Sequence, residues 1–266
     1  MPHSNEKLET MSFGSHLEVL RQMLIRIAVV IVVLAAGIFC FKDLTFKLLL
    51  APKDSCFITF RAIEQLSDWV ANLTGGESFR FDPYDIELIS TDLSAQFMTH
   101  LSTSVSLAAL LASPYILYEL FRFVSPALYA SERRYSVGLG ICSYVQFILG
   151  VLITYFILAP ISFRFLGTYQ VDASVRNTIT LDSYISTFTG LTFTMGLVFQ
   201  LPVVSWLLSK MGLINASLMR RYRRHALVLI MIAAALITPP DIFTLVLVTV
   251  PLYLLYEMCI FIVKRE

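Results

Sequence analysis

The residues that stand out chemically lie in a short segment at the end of a long apolar run. Residues 113–134 read SPYILYELFRFVSPALYASERR, with two Ser-Pro steps, several aromatic residues, and Glu132 beside Arg133 and Arg134. A carboxylate at such a place either recognises a ligand or pairs with its arginine neighbours as a solvated charge. The segment is costly to bury and is not needed for a simple turn between two apolar helices. It predicts a recognition surface at a membrane face.

A second polar group lies inside an apolar run. Gln200 falls near the middle of the stretch 183–208, two residues before Pro202. A buried amide in a bilayer is costly unless it has a hydrogen-bond partner. Gln200 therefore either contacts a partner's helix or a polar concavity, or bonds internally to a serine or threonine such as those at 101–106. Pro202 predicts a kink, because it cannot pair with the carbonyl four residues earlier.

The elements that position these groups are transmembrane helices. The 266 residues are 57% hydrophobic and 15% charged, with a mean hydropathy of +0.73, whereas about a quarter of a soluble domain is charged. A bilayer core of about 30 Å needs about 20 apolar residues in a helix. The sequence predicts an all-α membrane protein with six spans, at about 23–41, 93–121, 136–159, 183–208, 226–237 and 242–262.

The fifth predicted span is short for a bilayer. Residues 226–237 rise roughly 18 Å at 1.5 Å per residue. The membrane then thins locally, or the helix ends below the surface, unless the last two segments form one re-entrant hairpin.

The distribution of lysine and arginine predicts the orientation. With the N-terminus in the cytoplasm, 13 of the 20 lysines and arginines fall on the cytoplasmic side and 7 on the outer side. The cluster Arg220–Arg224 is the strongest single anchor. Both termini are therefore expected in the cytoplasm. The first apolar run is expected to remain as an anchor, since Lys42 and Asp43 follow it rather than a small-residue cleavage site.

Enzyme and metal chemistry are not expected. The sequence has no HExxH, GxSxG or P-loop motif, and its four cysteines make no CxxC or Cys/His metal spacing. A secondary transporter of a small solute is the alternative function, and a membrane scaffold is a third. Transporters commonly show internal repeats, and the prolines at 114, 160, 202 and 251 follow none.

Four sequence blocks, taken in order along the chain, resemble the TatC family, the core subunit of the twin-arginine protein translocase. Each block alone is weak, and the four together are specific. The blocks are Ser15–Arg21 (SHLEVLR), Phe123–Tyr129 with Glu132–Arg134 (FVSPALY and ERR), Phe199–Pro202 (FQLP), and Thr238–Asp241 with Pro251, Leu252, Tyr256 and Glu257 (TPPD, PL and YE).

The resemblance implies a fold and a function. TatC-like proteins are single-domain, curved six-helix bundles with short fifth and sixth helices, so residues 1–266 are expected to form one domain. They bind twin-arginine signal peptides of folded cargo and recruit single-span TatA-like and TatB-like partners. They act as homo-oligomers driven by the proton-motive force, without a cofactor and without nucleic acid. The expected location is the bacterial cytoplasmic membrane, with an organelle membrane as the alternative.

The resemblance also implies roles for individual residues. Because the cargo carries two guanidinium groups, the receptor needs acids on its cytoplasmic face, and Glu132 is the first choice. Phe123 is expected to line a groove for the apolar part of the peptide. The residues implied in signal-peptide binding are Glu132, Phe123, Glu18, Arg21, Pro126, Leu128 and Tyr129. The other implied sites are Gln200 with Pro202 for partner contact, and Pro239, Pro240, Asp241 and Glu257 as structural or functional caps.

The expected structural roles of the last two acids are specific. Asp241 is expected to cap the sixth helix. Glu257 is expected to pair with one of Arg220–Arg224.

The first block departs from the family pattern. The family's glutamate falls at Val19, and the acid here is Glu18, one residue earlier. Adjacent helical residues point about 100° apart, so Glu18 can replace the missing acid only where the helix is frayed or rotated. Glu132 is then the principal acid.

Overall fold

The structure, a computed structural model, describes residues 13–82, 84, 86–124, 136–172, 177–238 and 241–263. These residues are mostly helical, and the described elements follow in chain order. The helices are α1 (Phe13–Cys40), α2 (Lys42–Leu50), α3 (Ile58–Thr74), α4 (Ala95–Leu111), α5 (Ser113–Val124), α6 (Ser136–Ile153), α7 (Ala159–Thr168), α8 (Leu181–Val198), α9 (Leu201–Lys210), α10 (Ala216–Arg221), α11 (Arg223–Ile237) and α12 (Ile242–Ile262).

Four shorter elements lie between the helices. A 3₁₀ turn at Ala51–Lys53 follows α2, and a π-helical segment at Thr154–Leu158 joins α6 to α7. The two-residue strands β1 (Leu88–Ile89) and β2 (Ile179–Thr180) pair in parallel, with Leu88 opposite Ile179. This pair ties the segment before α4 to the segment before α8.

Four stretches are long and apolar enough to cross a membrane. They are Leu17–Cys40, Gly138–Thr168, Leu181–Lys210 and Ile242–Ile262. Helices α4 and α5 form a fifth if they are counted as one span bent by 53°. The 15 residues of α11 rise only roughly 22 Å, less than the bilayer core of about 30 Å. The protein is therefore a helical membrane protein with four or five candidate spans among its described residues.

The second predicted span is not one continuous helix. The chain breaks at Ala112, between α4 and α5. Pro114 explains the break, because it has no N–H to pair with the carbonyl of Leu110. The predicted run 93–121 is corrected to two helices that meet at an angle.

The helix of the third predicted span continues past Ala159 to Thr168, because the π segment before Pro160 lets the chain pass the proline without a full break. One further prediction about helix length is wrong. The sixth helix is not short, since α12 has 21 residues and rises roughly 32 Å. Its predicted bounds of 242–262 are confirmed.

Glycines allow α6 and α8 to pack closely. A Cβ atom added to Gly150 would lie 2.7 Å from the carbonyl oxygen of Met195, and one added to Gly196 would lie 2.6 Å from the Phe147 ring. Small residues at such a crossing let two backbones approach in a membrane protein. Around this crossing lies an apolar cluster made of Leu158, Leu191, Met195, Phe199, Ala234, Val248, Leu252 and Leu255.

The segment 42–82, which includes α2 and α3 and is called the cap here, is attached to the spans through carbonyl groups. Tyr155 Oη donates to the carbonyl of Leu48 at 2.9 Å, and Tyr184 Oη donates to that of Leu49 at 3.0 Å. Pro52 has no N–H for the Leu48 carbonyl. The tyrosines thus bond to carbonyls in the last turn of α2, and the Leu48 carbonyl gains a partner that the proline cannot supply.

A second attachment of the cap follows the same chemistry. Thr59 Oγ1, in the first turn of α3, donates to the carbonyl of Phe156 in the π segment. Pro160 cannot donate an α-helical hydrogen bond to that carbonyl. The two prolines therefore mark the places where the cap meets the spans.

An arginine inserted among aromatic rings holds the end of the cap. The Arg164 guanidinium lies 4.3 Å from the Phe81 ring centroid, 4.7 Å from that of Tyr84 and 5.4 Å from that of Phe60. It also donates to the carbonyl of Asp82 at 3.2 Å. Burial raises the pKa of Tyr84 to about 12. The cluster fixes α3 and the following segment against α7 through cation–π contacts.

Candidate functional site

The first candidate acid, Glu18, lies on the exposed surface of α1. Arg21 Nη1 is 3.2 Å from Glu18 Oε2, and Gln22 Nε2 donates to Glu18 Oε1 at 3.2 Å. Half of the Glu18 side chain and 70% of that of Arg21 are exposed. Such a surface pair is worth about 1 kcal/mol at most. A guanidinium from another molecule can therefore compete for this carboxylate.

A second acid at this face is one that the sequence analysis missed. Glu119 of α5 is buried, with 4% of its side chain exposed, and Arg26 Nη1 of α1 lies 3.5 Å from its Oε1. Tyr115 Oη, one turn earlier, donates to the same oxygen at 3.0 Å. The arginine is 42% exposed. The pair thus joins a buried carboxylate on one helix to a half-exposed guanidinium on another.

Phe123 continues the same face of α5. Residues four apart lie above one another on a helix, so Tyr115, Glu119 and Phe123 form one stripe. Phe123 is half-buried in the last turn of α5. Since Arg26 reaches this stripe from α1, the structure brings together an acid, a base and an aromatic residue where α1 meets α5.

Glu119 carried a signal that sequence reasoning could have used. It is an acid inside the run 113–124, which is otherwise mostly apolar, and an acid in such a run is a functional candidate by default. Its partner could not be read from the sequence, since Arg26 lies 93 positions away. The tertiary contact between α1 and α5 creates the pair.

Six of the residues implied by the resemblance lie outside the described residues. They are Pro126, Leu128, Tyr129, Glu132, Pro239 and Pro240.

Of the two alternatives expected for Gln200, the structure shows the internal hydrogen bond to a serine. Its Nε2 donates to the carbonyl of Ser143 on α6 at 3.0 Å, and Ser143 Oγ donates to its Oε1. The partner is Ser143 rather than a residue of 101–106. Phe199 and Gln200 separate α8 from α9, and Pro202 lies in the first turn of α9. The expected interruption at Pro202 is present.

The two remaining acids lie near opposite ends of α12. Asp241 Oδ1 accepts from the backbone N–H of Thr244 at 2.7 Å, so its expected capping role is confirmed. Glu257 Oε2 lies 2.5 Å from Arg223 Nη2, and this arginine belongs to the expected group 220–224. Sixteen residues separate these acids by roughly 24 Å. They do not form one site.

The features described so far, together with comparison with known proteins, identify the class and the family of this protein. Long apolar helices, an ion pair between two of them and a polar end of the bundle define a multi-pass membrane protein. A family model described as "Sec-independent protein translocase protein (TatC)" matches residues 15–251. The chain belongs to the TatC family.

Individual relatives agree over most of the chain. A Sec-independent protein translocase protein TatC of Blattabacterium sp. subsp. Periplaneta americana is 34% identical, covering 97% of this chain and 96% of the relative. The TatC of Escherichia coli (strain K12) is 30% identical, covering 77% and 79%. A crystal structure titled Twin Arginine Translocase Receptor TatC aligns with a TM-score of 0.71 at 29% identity, covering 93% of this chain and 97% of that one.

The family membership decides between alternatives that the sequence left open. The chain is a Sec-independent translocase protein of the bacterial cytoplasmic membrane, and it is a transport component rather than an enzyme. The small-solute transporter and the organelle membrane are set aside.

Proposed function

We propose that this chain receives the twin-arginine signal peptide of a folded cargo protein where α1 meets α5. Glu132 is the principal acid for the peptide's guanidinium groups, and Glu18 is a secondary one beside Arg21. Phe123 lines the path of the apolar part of the peptide, with Pro126, Leu128 and Tyr129 shaping the loop.

The observation that supports this proposal most is the pair of carboxylate–guanidinium contacts made by α1. Glu18 holds Arg21, and Glu119 holds Arg26 beside the stripe that ends at Phe123. This end of the bundle therefore already has the chemistry that an arginine-bearing peptide requires. The exposed Glu18 contact is weak enough to be exchanged for a contact with the peptide.

Glu119 has a positioning role in this proposal. Its carboxylate is too buried to meet a peptide without movement, and it holds Arg26 across the gap between two helices. It therefore fixes α1 against α5, so that Glu18 and Phe123 stay at one face. The loss of the family's acid at Val19 makes this fixed geometry more important.

The wider proposal concerns topology and assembly. Residues 1–266 form one domain with six spans, with α11 as a short fifth span and both termini in the cytoplasm. The chain recruits single-span TatA-like and TatB-like partners, and the proton-motive force drives transport. Since Gln200 bonds internally to Ser143, we assign it to helix packing rather than to a partner contact.

Charge reversal at Glu132 tests the acid assignment. In cells that lack their own TatC, we expect Glu132→Lys to abolish export of a twin-arginine reporter, because a lysine repels the peptide's guanidinium groups. Glu18→Ala should lower export only mildly. Glu77→Lys, the same reversal at an exposed acid beyond α3, is the matched control. Normal export by Glu132→Lys at normal protein levels would rule the assignment out.

Peptide binding tests the receptor function directly. The purified chain in detergent should bind a twin-arginine peptide at least about tenfold more tightly than its twin-lysine counterpart, since lysine cannot make the bidentate contact. Equal affinity for the two peptides would contradict the proposed recognition even if export is impaired in the variants.

A further inference from the structure

One face of α3 is apolar and exposed. Ile58, Leu66, Trp69, Val70 and Leu73 are between 46% and 66% exposed. At 3.6 residues per turn, these five positions fall within an arc of about 120° on the helix. They are called the apolar arc here. An exposed arc of this size on a helix indicates an interaction surface.

The other sides of α3 are accounted for. Phe60 is buried against the Phe81 and Tyr84 rings. Glu64 Oε1 accepts from the N–H of Phe81 at 3.1 Å, and Ser67 Oγ accepts from that of Phe79 at 2.6 Å. The returning chain therefore covers the side of the helix away from the apolar arc. A further strip carries Arg61, Gln65, Asp68 and Asn72.

The start of α3 is joined to a membrane-spanning helix near the edge of the bilayer. The Phe57 ring stacks on the Phe156 ring at 6.1 Å between centroids, and Thr59 donates to the Phe156 carbonyl. Phe156 lies 18 residues after Gly138, where this candidate span begins. That distance is roughly 27 Å along a helix, close to the bilayer core of about 30 Å.

The apolar arc thus begins at the level where the hydrocarbon ends. Arg164, eight residues beyond Phe156, lies roughly 12 Å further along the helix and belongs in the headgroup region or the water. Leu149, Leu152 and Ile157 of the same span are exposed apolar residues, as lipid contact requires. The start of α3 lies beside this lipid-facing surface, through the contacts of Phe57 and Thr59 with Phe156.

We propose that α3 is an interfacial helix whose apolar arc lies in the outer edge of the bilayer, on the side where α1 ends. Interfacial helices have an arc of Trp, Phe and Leu buried about 5–10 Å into the boundary between headgroups and acyl chains. Trp69, which belongs to the arc, suits this boundary because its ring is apolar and its indole N–H is polar. In this arrangement the lipid contacts the apolar arc of the cap, and Arg164 attaches the cap to α7.

Tryptophan fluorescence tests the proposal with the full chain. The protein has two tryptophans, so Trp206→Phe leaves Trp69 as the only one. In phosphatidylcholine and phosphatidylglycerol vesicles with brominated acyl chains, Trp69 emission should lose about half of its intensity relative to unbrominated vesicles. The reverse variant, Trp69→Phe, reports on Trp206 within the span 181–210 and is the positive control for insertion.

A matched pair of substitutions separates the apolar arc from the rest of α3. In the Trp206→Phe background, Leu73→Glu should reduce the quenching at least about twofold, because a charge at the centre of the arc opposes burial. Asn72→Glu, one position away on the polar strip, should leave it unchanged. Emission of Trp69 that bromine does not quench overturns the proposal. Quenching that rises as the protein is diluted in lipid also overturns the proposal. Such a rise would mean that a second copy of the chain covers the arc before dilution.

Discussion

The two side chains of the ion pair between Arg26 and Glu119 differ in their exposure to solvent. The carboxylate is almost fully buried, while the guanidinium is close to half exposed. An exposed charge that loses its partner is rehydrated, whereas a buried one is left without compensation. The two residues of one ion pair should therefore respond very differently to substitution.

We predict that Arg26→Gln destabilises the protein by about 3 kcal/mol, because it leaves the Glu119 carboxylate buried with only Tyr115 as its described partner. Glu119→Gln should cost about 1 kcal/mol, since the amide still accepts from Tyr115 and the arginine can turn to solvent. The double variant should recover most of the loss. Thermal unfolding of the four proteins in one detergent measures the cycle, and equal losses in the two single variants would contradict the asymmetry.

At the level of elements, the crossing of α6 and α8 depends on two glycines that differ in what they face. Gly150 meets the backbone of Met195, and Gly196 meets the ring of Phe147. A backbone carbonyl cannot move without shifting its helix, whereas a ring can rotate or shift. The crossing is therefore more tightly constrained at Gly150.

We predict that Gly150→Ala destabilises the protein by about 2 kcal/mol through overpacking. Gly196→Ala should cost less, because the Phe147 ring can yield. Gly190→Ala on the same helix α8 is the control, since nothing lies within 4 Å of its added Cβ. Thermal unfolding compares the three variants, and a loss at Gly190 as large as that at Gly150 would show that the close packing is not the cause.

Sequence reasoning recovered the helices that are defined by length and hydropathy, and missed those defined by contacts. The bounds of α12 were predicted, as was the cap at Asp241, because a capping bond is local. Helix α3 is not among the predicted helices, since its arc shows only in the 3.6-residue period and its attachment rests on Phe156 and Arg164, far along the chain. Glu119 and its partner Arg26 were missed for the same reason.

The whole molecule has two chemically different ends. Glu18 and Cys40 lie on one helix, 22 residues or roughly 33 Å apart. The carboxylate–guanidinium contact of Glu18 is at one end, and the cap with its Arg164 cluster is at the other. The excess of lysine and arginine on the Glu18 side is the basis of the proposal that this end faces the cytoplasm.

Reporter fusions test that orientation. We predict that alkaline phosphatase, which is active only outside the cytoplasm, is active when fused after Gly76 and inactive when fused after Gly212, because the basic cluster 220–224 resists translocation. A cytoplasmic reporter such as green fluorescent protein should give the opposite pattern at the same two sites. Activity of the phosphatase at Gly212 would reverse the proposed topology.

Three hydrogen bonds between the cap and the spans each join a side chain on one partner to a main-chain carbonyl on the other. Tyr155, Tyr184 and Thr59 donate to main-chain carbonyls of Leu48, Leu49 and Phe156. A carbonyl oxygen is the same whatever residue carries it, so substitutions at these three acceptor positions leave the acceptors in place. Paired substitutions between relatives report on side chains that contact each other. These three hydrogen bonds should therefore leave little trace in residue covariation, although they help to hold two parts of the molecule together.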